Sequence, residues 1–176
     1  MNIFYTDPDP VKAARDCCDK YTIKMPVEAV QMLVSACVRN DVQPNVITKK
    51  GTVHKGGYHR HPCTVWAGDS QENAQWLWDW GWALCEEYTK RYGKVHFAQG
   101  QLATLADSVH NDLPAHGFTT PALAMPDECK TDDPVESYRN CIRHKLETRP
   151  GVFVWNKGTP QPEWIHAQEN TATETY

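Results

Sequence analysis

The chain has 176 residues, a formal net charge of −4 and seven tryptophans. A chain of this length can bury one hydrophobic core, and no change in composition divides it. We therefore expect one helical domain over residues 1–166 and a loose tail over residues 167–176. The negative charge argues against a surface that binds nucleic acid indiscriminately. No apolar run reaches the length of a membrane span, so we expect no membrane partner.

The seven cysteines are scattered and odd in number, and the first residues lack the charged and apolar regions of a signal peptide. This pattern predicts reduced thiols and a cytoplasmic protein. His59 and His61 are not accompanied by further ligands at the spacing of a zinc site, and the sequence contains no glycine-rich phosphate loop. We therefore expect neither a metal nor a cofactor.

Proline and capping residues place the first two helices. Asp9 followed by Pro10 predicts the start of a helix that runs to about Lys20. Pro26 lacks a backbone N–H and disfavours helical geometry in the residue before it, so a second helix either begins next to this proline or is kinked there. The loop-forming residues after Asn40 end that helix.

Three further helices are predicted at about 69–92, 101–109 and 133–147. Asp69 and Glu72 form a capping box at the start of the first of these, and Gly93 is placed to end it. The apolar run 152–155 is expected to pack across the helices. Together these predictions describe a mainly α, compact, single-domain helical bundle with long loops and little or no sheet.

Residues that could carry chemistry cluster on the second helix. At helical spacing, one face carries Lys20, Lys24, Glu28 and Gln31, and the other carries an apolar stripe of Ile23, Val27, Val30, Leu33, Val34 and Cys37. A lysine one turn before a glutamate is typical of a solvent-exposed ion pair. The same row of amine, carboxylate and amide beside a cleft would suit acid–base or nucleophilic chemistry. The residues alone leave both interpretations open.

A basic segment lies between the second and third predicted helices. No acidic residue interrupts residues 42–68. The segment contains four lysine and arginine residues, Lys49, Lys50, Lys55 and Arg60. One interpretation is a mobile polar loop rich in glycine. The other is a loop that contacts phosphate groups beside a cleft.

Several motifs in the chain resemble a known family. They are Lys24-x-x-x-Glu28-x-x-Gln31-Met32-Leu33, His61-Pro62-x-x-x-Trp66, Ala83-Leu84-Cys85-Glu86-Glu87-Tyr88-Thr89-x-Arg91-Tyr92-Gly93-Lys94, Ala124-Met125-Pro126-Asp127-Glu128 and Tyr138-Arg139. The set looks like a family of small phage proteins. That family is in turn distantly similar to the pyrimidine-dimer DNA glycosylases of the endonuclease V type. The first resemblance covers most of the chain.

The resemblance implies a compact all-α enzyme that binds damaged duplex DNA, extrudes a base and breaks the glycosidic bond. In that group a chain amine attacks the sugar C1′ to form a Schiff base, and a glutamate, here Glu28, stabilises the charge. The amine is the N-terminus that is exposed after removal of the initiator methionine. Here Asn2 should keep Met1 in place. Lys24 or Lys20 is therefore the amine that we expect to react.

The remaining expected site residues either position the substrate or contact DNA. Gln31 and His61 would position the substrate. The expected DNA contacts are Lys20, Lys49, Lys50, Lys55, Tyr58, Arg60, Trp66, Arg91 and Arg139. Of these, Tyr58 and Trp66 would either stack on a displaced base or belong to the core.

Two other functions are compatible with the sequence. One is a transferase or hydrolase that acts on free nucleotides or modified bases, which the negative charge favours over duplex DNA. Such an enzyme would differ in salt dependence, because affinity that depends on phosphate contacts falls steeply as salt rises. The other is a non-catalytic phage protein that presents the tryptophan-rich helix and the loop around Pro121 to a host partner. In that case Glu28→Gln should leave activity in cells unchanged.

Overall fold

A computed structural model describes residues 1–167 and contains six α-helices within that range. They are α1 (Pro10–Asp16), α2 (Asp19–Arg39), α3 (Pro62–Asp69), α4 (Gln71–Tyr92), α5 (Phe97–Asp107) and α6 (Pro134–Thr148). A π-helical turn extends α5 over Ser108–Asp112, and short 3-10 turns occur at Asp127–Cys129 and Glu163–Ile165. No strand forms in the described residues, where Ile47 and Val53 make an isolated β-bridge. The predicted mainly α fold class is confirmed.

Two helices begin at the predicted capping residues. A carboxylate oxygen of Asp9 accepts a hydrogen bond from the N–H of Val11 at 2.9 Å, with Pro10 in the first turn. Asp133 accepts from the N–H of Val135 at 2.9 Å, again with a proline in the first turn. Each cap satisfies an N–H group that the helix itself leaves unpaired.

The third predicted start is shifted by one residue, because an additional helix precedes it. That helix, α3, has His61 as its N-cap and ends at Asp69. The cap of α4 is Ser70, whose hydroxyl accepts from the N–H of Asn73 at 3.1 Å. Gly93 ends α4 in the left-handed conformation (φ 66°), as predicted.

The second helix is longer than the position of its proline indicates. It runs from Asp19 to Arg39 and includes Pro26, which excludes a helix start at Met25. The missing N–H of one proline is tolerated because α2 packs against α3, α4 and α5. The preceding helix ends at Asp16, earlier than predicted, since the two residues that follow it are extended.

The core is centred on the contact between α2 and α4. Leu77, Trp80 and Leu84 of α4 are completely buried. At Gly81 the two helices approach so closely that an added Cβ would lie 3.0 Å from the Cβ of Ala29. Trp80, the central aromatic residue of α4, therefore belongs to the core.

The apolar run 152–155 crosses the start of α2, as predicted. The carbonyl of Val154 accepts a hydrogen bond from the N–H of Asp19 at 2.9 Å. The ring of Phe153 contacts that of Tyr21 edge-on. Most of the tail that we expect at 167–176 lies outside the described residues.

All seven cysteines are free and buried. Within residues 1–167, no three His, Cys, Asp or Glu side chains are grouped so that they could hold a metal ion. No helix in the same range has the length and apolar character needed to cross a membrane.

Candidate active site

One cleft on α2 brings together four of the predicted site residues. It has a volume of about 310 Å³ and is lined by Met1, Lys24, Val27, Glu28, Gln31 and Tyr58. Positions 24, 27, 28 and 31 share a face of α2 because they are three or four residues apart. Since α2 also packs against α3, α4 and α5, the helix that carries these side chains is fixed by its neighbours.

Glu28 is the charged residue that joins the other groups in this cleft. The residue is 8% exposed. Its Oε1 atom is 2.9 Å from the Nζ atom of Lys24, and its Oε2 atom is 3.5 Å from the amino nitrogen of Met1. Oε2 is buried and accepts no hydrogen bond from the described residues. A buried carboxylate oxygen with free lone pairs is suited to stabilise a positive charge that forms beside it.

The N-terminal segment is anchored so that its amino group reaches Glu28. The side-chain amide of Asn2 donates to the carbonyl of Ala124 at 2.9 Å, and its oxygen accepts from the N–H of Ile3 at 2.8 Å. Ile3 is completely buried. Hydrogen bonds and core packing together fix the direction of this segment.

The structure places the amino group of Met1 in this cleft, whereas the sequence favours Lys24 or Lys20 as the reacting amine. Lys24 does pair with the carboxylate, although its side chain is 54% exposed. Lys20 is exposed and does not line the cleft. The sequence signal for Met1 is the apolar run at residues 3–5, which predicts that the terminus packs into the core.

The charges of the cleft affect the pKa of His61, although this residue does not line the cleft. Burial lowers the pKa of His61, the amino group of Met1 lowers it further, and the carboxylate of Glu28 opposes both effects. The ring is therefore mainly neutral at pH 7. Its Nδ1 atom accepts from the N–H of Cys63 at 3.2 Å and caps α3. The proton of the neutral ring is then on Nε2, where it can be donated to a substrate.

The apolar stripe predicted on α2 is only partly correct. Ile23 and Val27 are 46% and 41% exposed, whereas the other members of the stripe are buried. Met25, Ala29 and Met32 are buried in addition. Of the two exposed residues, Val27 lines the cleft and Ile23 does not.

The basic loop, residues 42–61, is tied to the rest of the protein. Ile47 and Val53 form the β-bridge that closes one part of it. The hydroxyl of Ser35 on α2 accepts from the N–H of Gly57 at 2.8 Å and lies 3.1 Å from the carbonyl oxygen of the same residue. Its basic side chains are exposed, namely Lys49, Lys50, Lys55 and Arg60. Of this loop, Tyr58 lines the cleft, and none of the four basic residues does.

Two of the predicted DNA contacts belong to the interior instead. Arg91 is buried and pairs with Asp19 at 3.2 Å and Glu87 at 3.0 Å, so its guanidinium cannot reach a phosphate. Trp66 is 3% exposed, and its indole N–H donates to the carbonyl of Thr119 at 3.3 Å. Such burial depends on contacts with distant parts of the chain, which the spacing of neighbouring residues does not predict.

Arg139 lies at a second cleft. This cleft has a volume of about 370 Å³, and its lining includes Arg139, Lys12, Arg15 and Trp164. The guanidinium carbon of Arg139 is 5.4 Å from the centre of the Trp164 ring. None of the residues that line the first cleft lines this one. A contact between Arg139 and DNA stays a prediction.

The first cleft is built from the part of the chain that has a recognisable family signature. Residues 1–99 match the family described as pyrimidine dimer DNA glycosylase, and this range is more than half of the 176 residues. The chain belongs to this family. No curated protein and no solved structure matches the chain.

Membership supports a DNA glycosylase function and a DNA substrate at the level of the family. It also confirms the distant resemblance that the motifs of the sequence indicate. The matched range contains the N-terminal segment, α1 to α4 and every residue that lines the cleft around Glu28. The second cleft depends on α6 and the C-terminal segment, which lie outside the range shared with the glycosylase family.

Proposed function

We propose that this member of the glycosylase family breaks an N-glycosidic bond in damaged duplex DNA, with an amine of the cleft as nucleophile and Glu28 as the charge-stabilising group. The observation that supports the proposal is the position of Glu28 between two amines. Its Oε1 atom is 2.9 Å from Lys24, and its Oε2 atom is 3.5 Å from the amino group of Met1.

The reaction starts when the lone pair of the unprotonated amine attacks C1′ of the extruded nucleotide. The bond between C1′ and the base breaks, and its electron pair leaves with the base nitrogen, which takes up a proton. The amine loses a proton and the sugar ring opens, which gives a protonated imine at C1′. The carboxylate of Glu28 stabilises this positive charge. Water then regenerates the amine, or loss of a C2′ proton expels the 3′ phosphate and cleaves the strand.

Met1 is the stronger candidate for the nucleophile. An α-amino group is in general less basic than a lysine side chain, so a larger fraction of it is unprotonated at neutral pH. The amino group of Met1 also faces the buried oxygen of Glu28, whereas Lys24 is 54% exposed and holds the other oxygen in a close ion pair. The assignment requires a free α-amino group on Met1, and Lys24 is the alternative.

The surroundings of the cleft suit a DNA substrate. The exposed lysine and arginine side chains of the basic loop can contact phosphates, which position a duplex without reading its sequence. Gln31 lines the cleft and can bond the sugar or the base, while His61 can donate from Nε2. These two residues are positioning groups in the proposal.

Borohydride trapping tests the proposed function. The protein is incubated with duplexes that carry a cyclobutane pyrimidine dimer, an abasic site or a 5-modified pyrimidine, and the mixture is reduced. Mass spectrometry then locates the protein–DNA bond, and the intact mass shows which residue carries the free α-amino group. An adduct on Met1 or Lys24 supports the proposal. The absence of any adduct and of base release on every duplex would overturn it.

A matched pair of lysine variants decides between the two amines. Lys24→Ala removes the cleft lysine. Lys90→Ala removes a lysine that is equally exposed, at 53%, and that pairs with Glu87 on α4. If Met1 is the nucleophile, both variants keep the adduct. Loss of the adduct in Lys24→Ala alone would assign the reaction to Lys24.

A further inference from the structure

Two sequence motifs in the C-terminal half of the chain contact the segment that carries Met1. They are residues 124–128 and Tyr138-Arg139, and both lie outside the range shared with the glycosylase family. The carbonyl of Ala124 accepts from the side-chain amide of Asn2 at 2.9 Å. The Nε atom of Arg139 donates to the carbonyl of Thr6 at 3.1 Å. The N-terminal segment is therefore held by residues that come 122 and 133 positions later in the chain.

Tyr138 supports this contact from the interior. It is completely buried, and its hydroxyl donates to the carbonyl of Ala122, which fixes the backbone that leads to Ala124. Its ring meets the ring of Phe4 edge-on, and Phe4 in turn stacks on Tyr21 of α2 with ring centres 4.4 Å apart. Phe4 has φ 37°, a left-handed conformation that a residue with a side chain keeps only where its surroundings enforce it. The aromatic contacts provide that constraint.

The packing also orients Met1. Its side chain is buried against the core, whereas the residue as a whole is partly exposed. The exposed part is therefore the backbone, and the amino nitrogen lies 3.5 Å from Oε2 of Glu28 in the cleft. A methionine that is packed in this way directs its amino group towards the carboxylate.

Asn2 connects the backbone next to Met1 with the distant segment. Its Oδ1 atom accepts from the N–H groups of Ile3 and Phe4 at 2.8 and 3.2 Å, while its amide donates to Ala124. Asn2 is 9% exposed, so water has little access to these three hydrogen bonds. An apolar side chain at position 2 would leave three backbone groups without their partner, which favours a rearrangement of the terminus.

We propose that Asn2 is a positioning residue of the reaction, which fixes the amino group of Met1 in the direction from which it attacks C1′. The inference rests on the proposed function with Met1 as the nucleophile. Asn2 does not touch the substrate in this proposal and acts through the backbone of residues 1–4. Direction matters because a displacement of a reacting group by about 1 Å can lower a rate about 100-fold.

Asn2→Leu tests the proposal, because leucine has a similar size and cannot form the hydrogen bonds. A large residue at position 2 should also retain Met1, which the intact mass verifies. The rate constant of borohydride trapping on an abasic-site duplex, measured at saturating protein, should fall roughly 100-fold. The affinity for the duplex should not change, since Asn2 is buried. An unchanged rate constant, or a wild-type adduct that maps to Lys24, would overturn the proposal.

Two other variants separate positioning from a loss of stability. Asn40 is a matched control, because its amide donates to the carbonyls of Ala36 and Gly68 at 2.9 and 3.0 Å, at the other end of α2. Asn40→Leu should lower stability and leave the trapping rate of the folded protein unchanged. Asn2→Asp keeps the acceptor oxygen but places a carboxylate against the carbonyl of Ala124, so it should slow trapping even if Asn2→Leu does not fold. Equal slowing in Asn40→Leu would contradict a specific role of Asn2.

The methyl signal of Met1 reports the position of the terminus without any chemistry. The chain has four methionines, which can be labelled with ¹³C in the methyl group and observed by NMR spectroscopy. In Asn2→Leu the Met1 signal should move towards that of free methionine, while the signals of the buried Met25 and Met32 should stay in place. An unmoved Met1 signal would show that Asn2 does not hold the terminus. If the wild type forms no adduct on any duplex, the proposed function fails, and this signal still decides whether Asn2 positions Met1.

Discussion

Replacing Glu28 by glutamine should separate the chemistry of the cleft from the stability of the fold. The carboxylate has two charged contacts, an exposed one with Lys24 and a buried one with the amino group of Met1. The pair with Lys24 is half exposed, and pairs at i,i+4 spacing contribute about 0.3–0.5 kcal/mol. Oε2 accepts no hydrogen bond from the described residues. Glutamine keeps the shape and one acceptor oxygen but leaves the amino group of Met1 without its charged partner, so the free energy of unfolding should fall by about 1–3 kcal/mol.

The same substitution should have a much larger effect on imine formation. Glutamine carries no negative charge to stabilise the cation at C1′, and removal of one preorganised electrostatic group typically lowers a rate by about 100- to 1000-fold. Single-turnover borohydride trapping on an abasic-site duplex measures the rate, and urea denaturation measures stability. Glu86→Gln is the matched control, because Glu86 is an exposed glutamate on α4 that does not line the cleft. It should change neither quantity.

Two outcomes would refute this reasoning about Glu28. An unchanged trapping rate would show that the carboxylate takes no part in the reaction. A loss of several kcal/mol in the free energy of unfolding, with trapping reduced in proportion to the folded fraction, would show that Glu28 is a structural residue.

Three further changes have distinct expected results. The first is the simultaneous replacement of Lys49, Lys50, Lys55 and Arg60 by alanine, which should weaken duplex binding regardless of the DNA sequence. The slope of log affinity against log salt concentration should fall by about 0.9 for each phosphate that is no longer neutralised. An enzyme that acts on free nucleotides would show no such slope. Arg91→Leu should lower the free energy of unfolding in urea by about 3–5 kcal/mol, because Asp19 and Glu87 lose a buried partner, and should leave the salt slope unchanged. Burial lowers the pKa of His96, so the unfolded chain binds this proton more tightly than the folded one. The free energy of unfolding should therefore fall as the pH drops below the ordinary histidine value of 6.5, and His96→Asn should flatten that part of a denaturation profile against pH.

Local signals in the sequence predict where helices begin and end better than they predict how the helices pack. Asp9, Asp133 and Gly93 act within one helical turn, and each has the role that its residue type predicts. The short helix α3 escapes prediction because contacts from a distant element stabilise it. Arg39 at the end of α2 donates to the carbonyl of Val65 in this helix at 2.7 Å. An interaction across 26 residues leaves no local pattern in the sequence.

The residues of the candidate site also differ in how well the local sequence predicts their positions. The row of lysine, glutamate and glutamine is predictable because it depends only on the spacing within α2. The approach of Met1 depends on the hydrogen bond from Asn2 to Ala124, which are 122 residues apart. The burial of Arg91 similarly depends on Asp19, from which it is separated by 72 residues. In both cases the residue type indicates a capacity for charge, and only the fold decides whether that charge meets DNA, substrate or another part of the protein.

The cleft around Glu28 and the loop that carries Tyr58 are connected through α2. Glu28 and Ser35 are seven residues apart, about two helical turns, and therefore lie on the same side of the helix. Ser35 holds Gly57 and with it the backbone of Tyr58, so the ring is brought to the cleft that contains Glu28. Because this stretch of α2 is packed against neighbouring helices, Glu28 and the residue that anchors the loop share one rigid support.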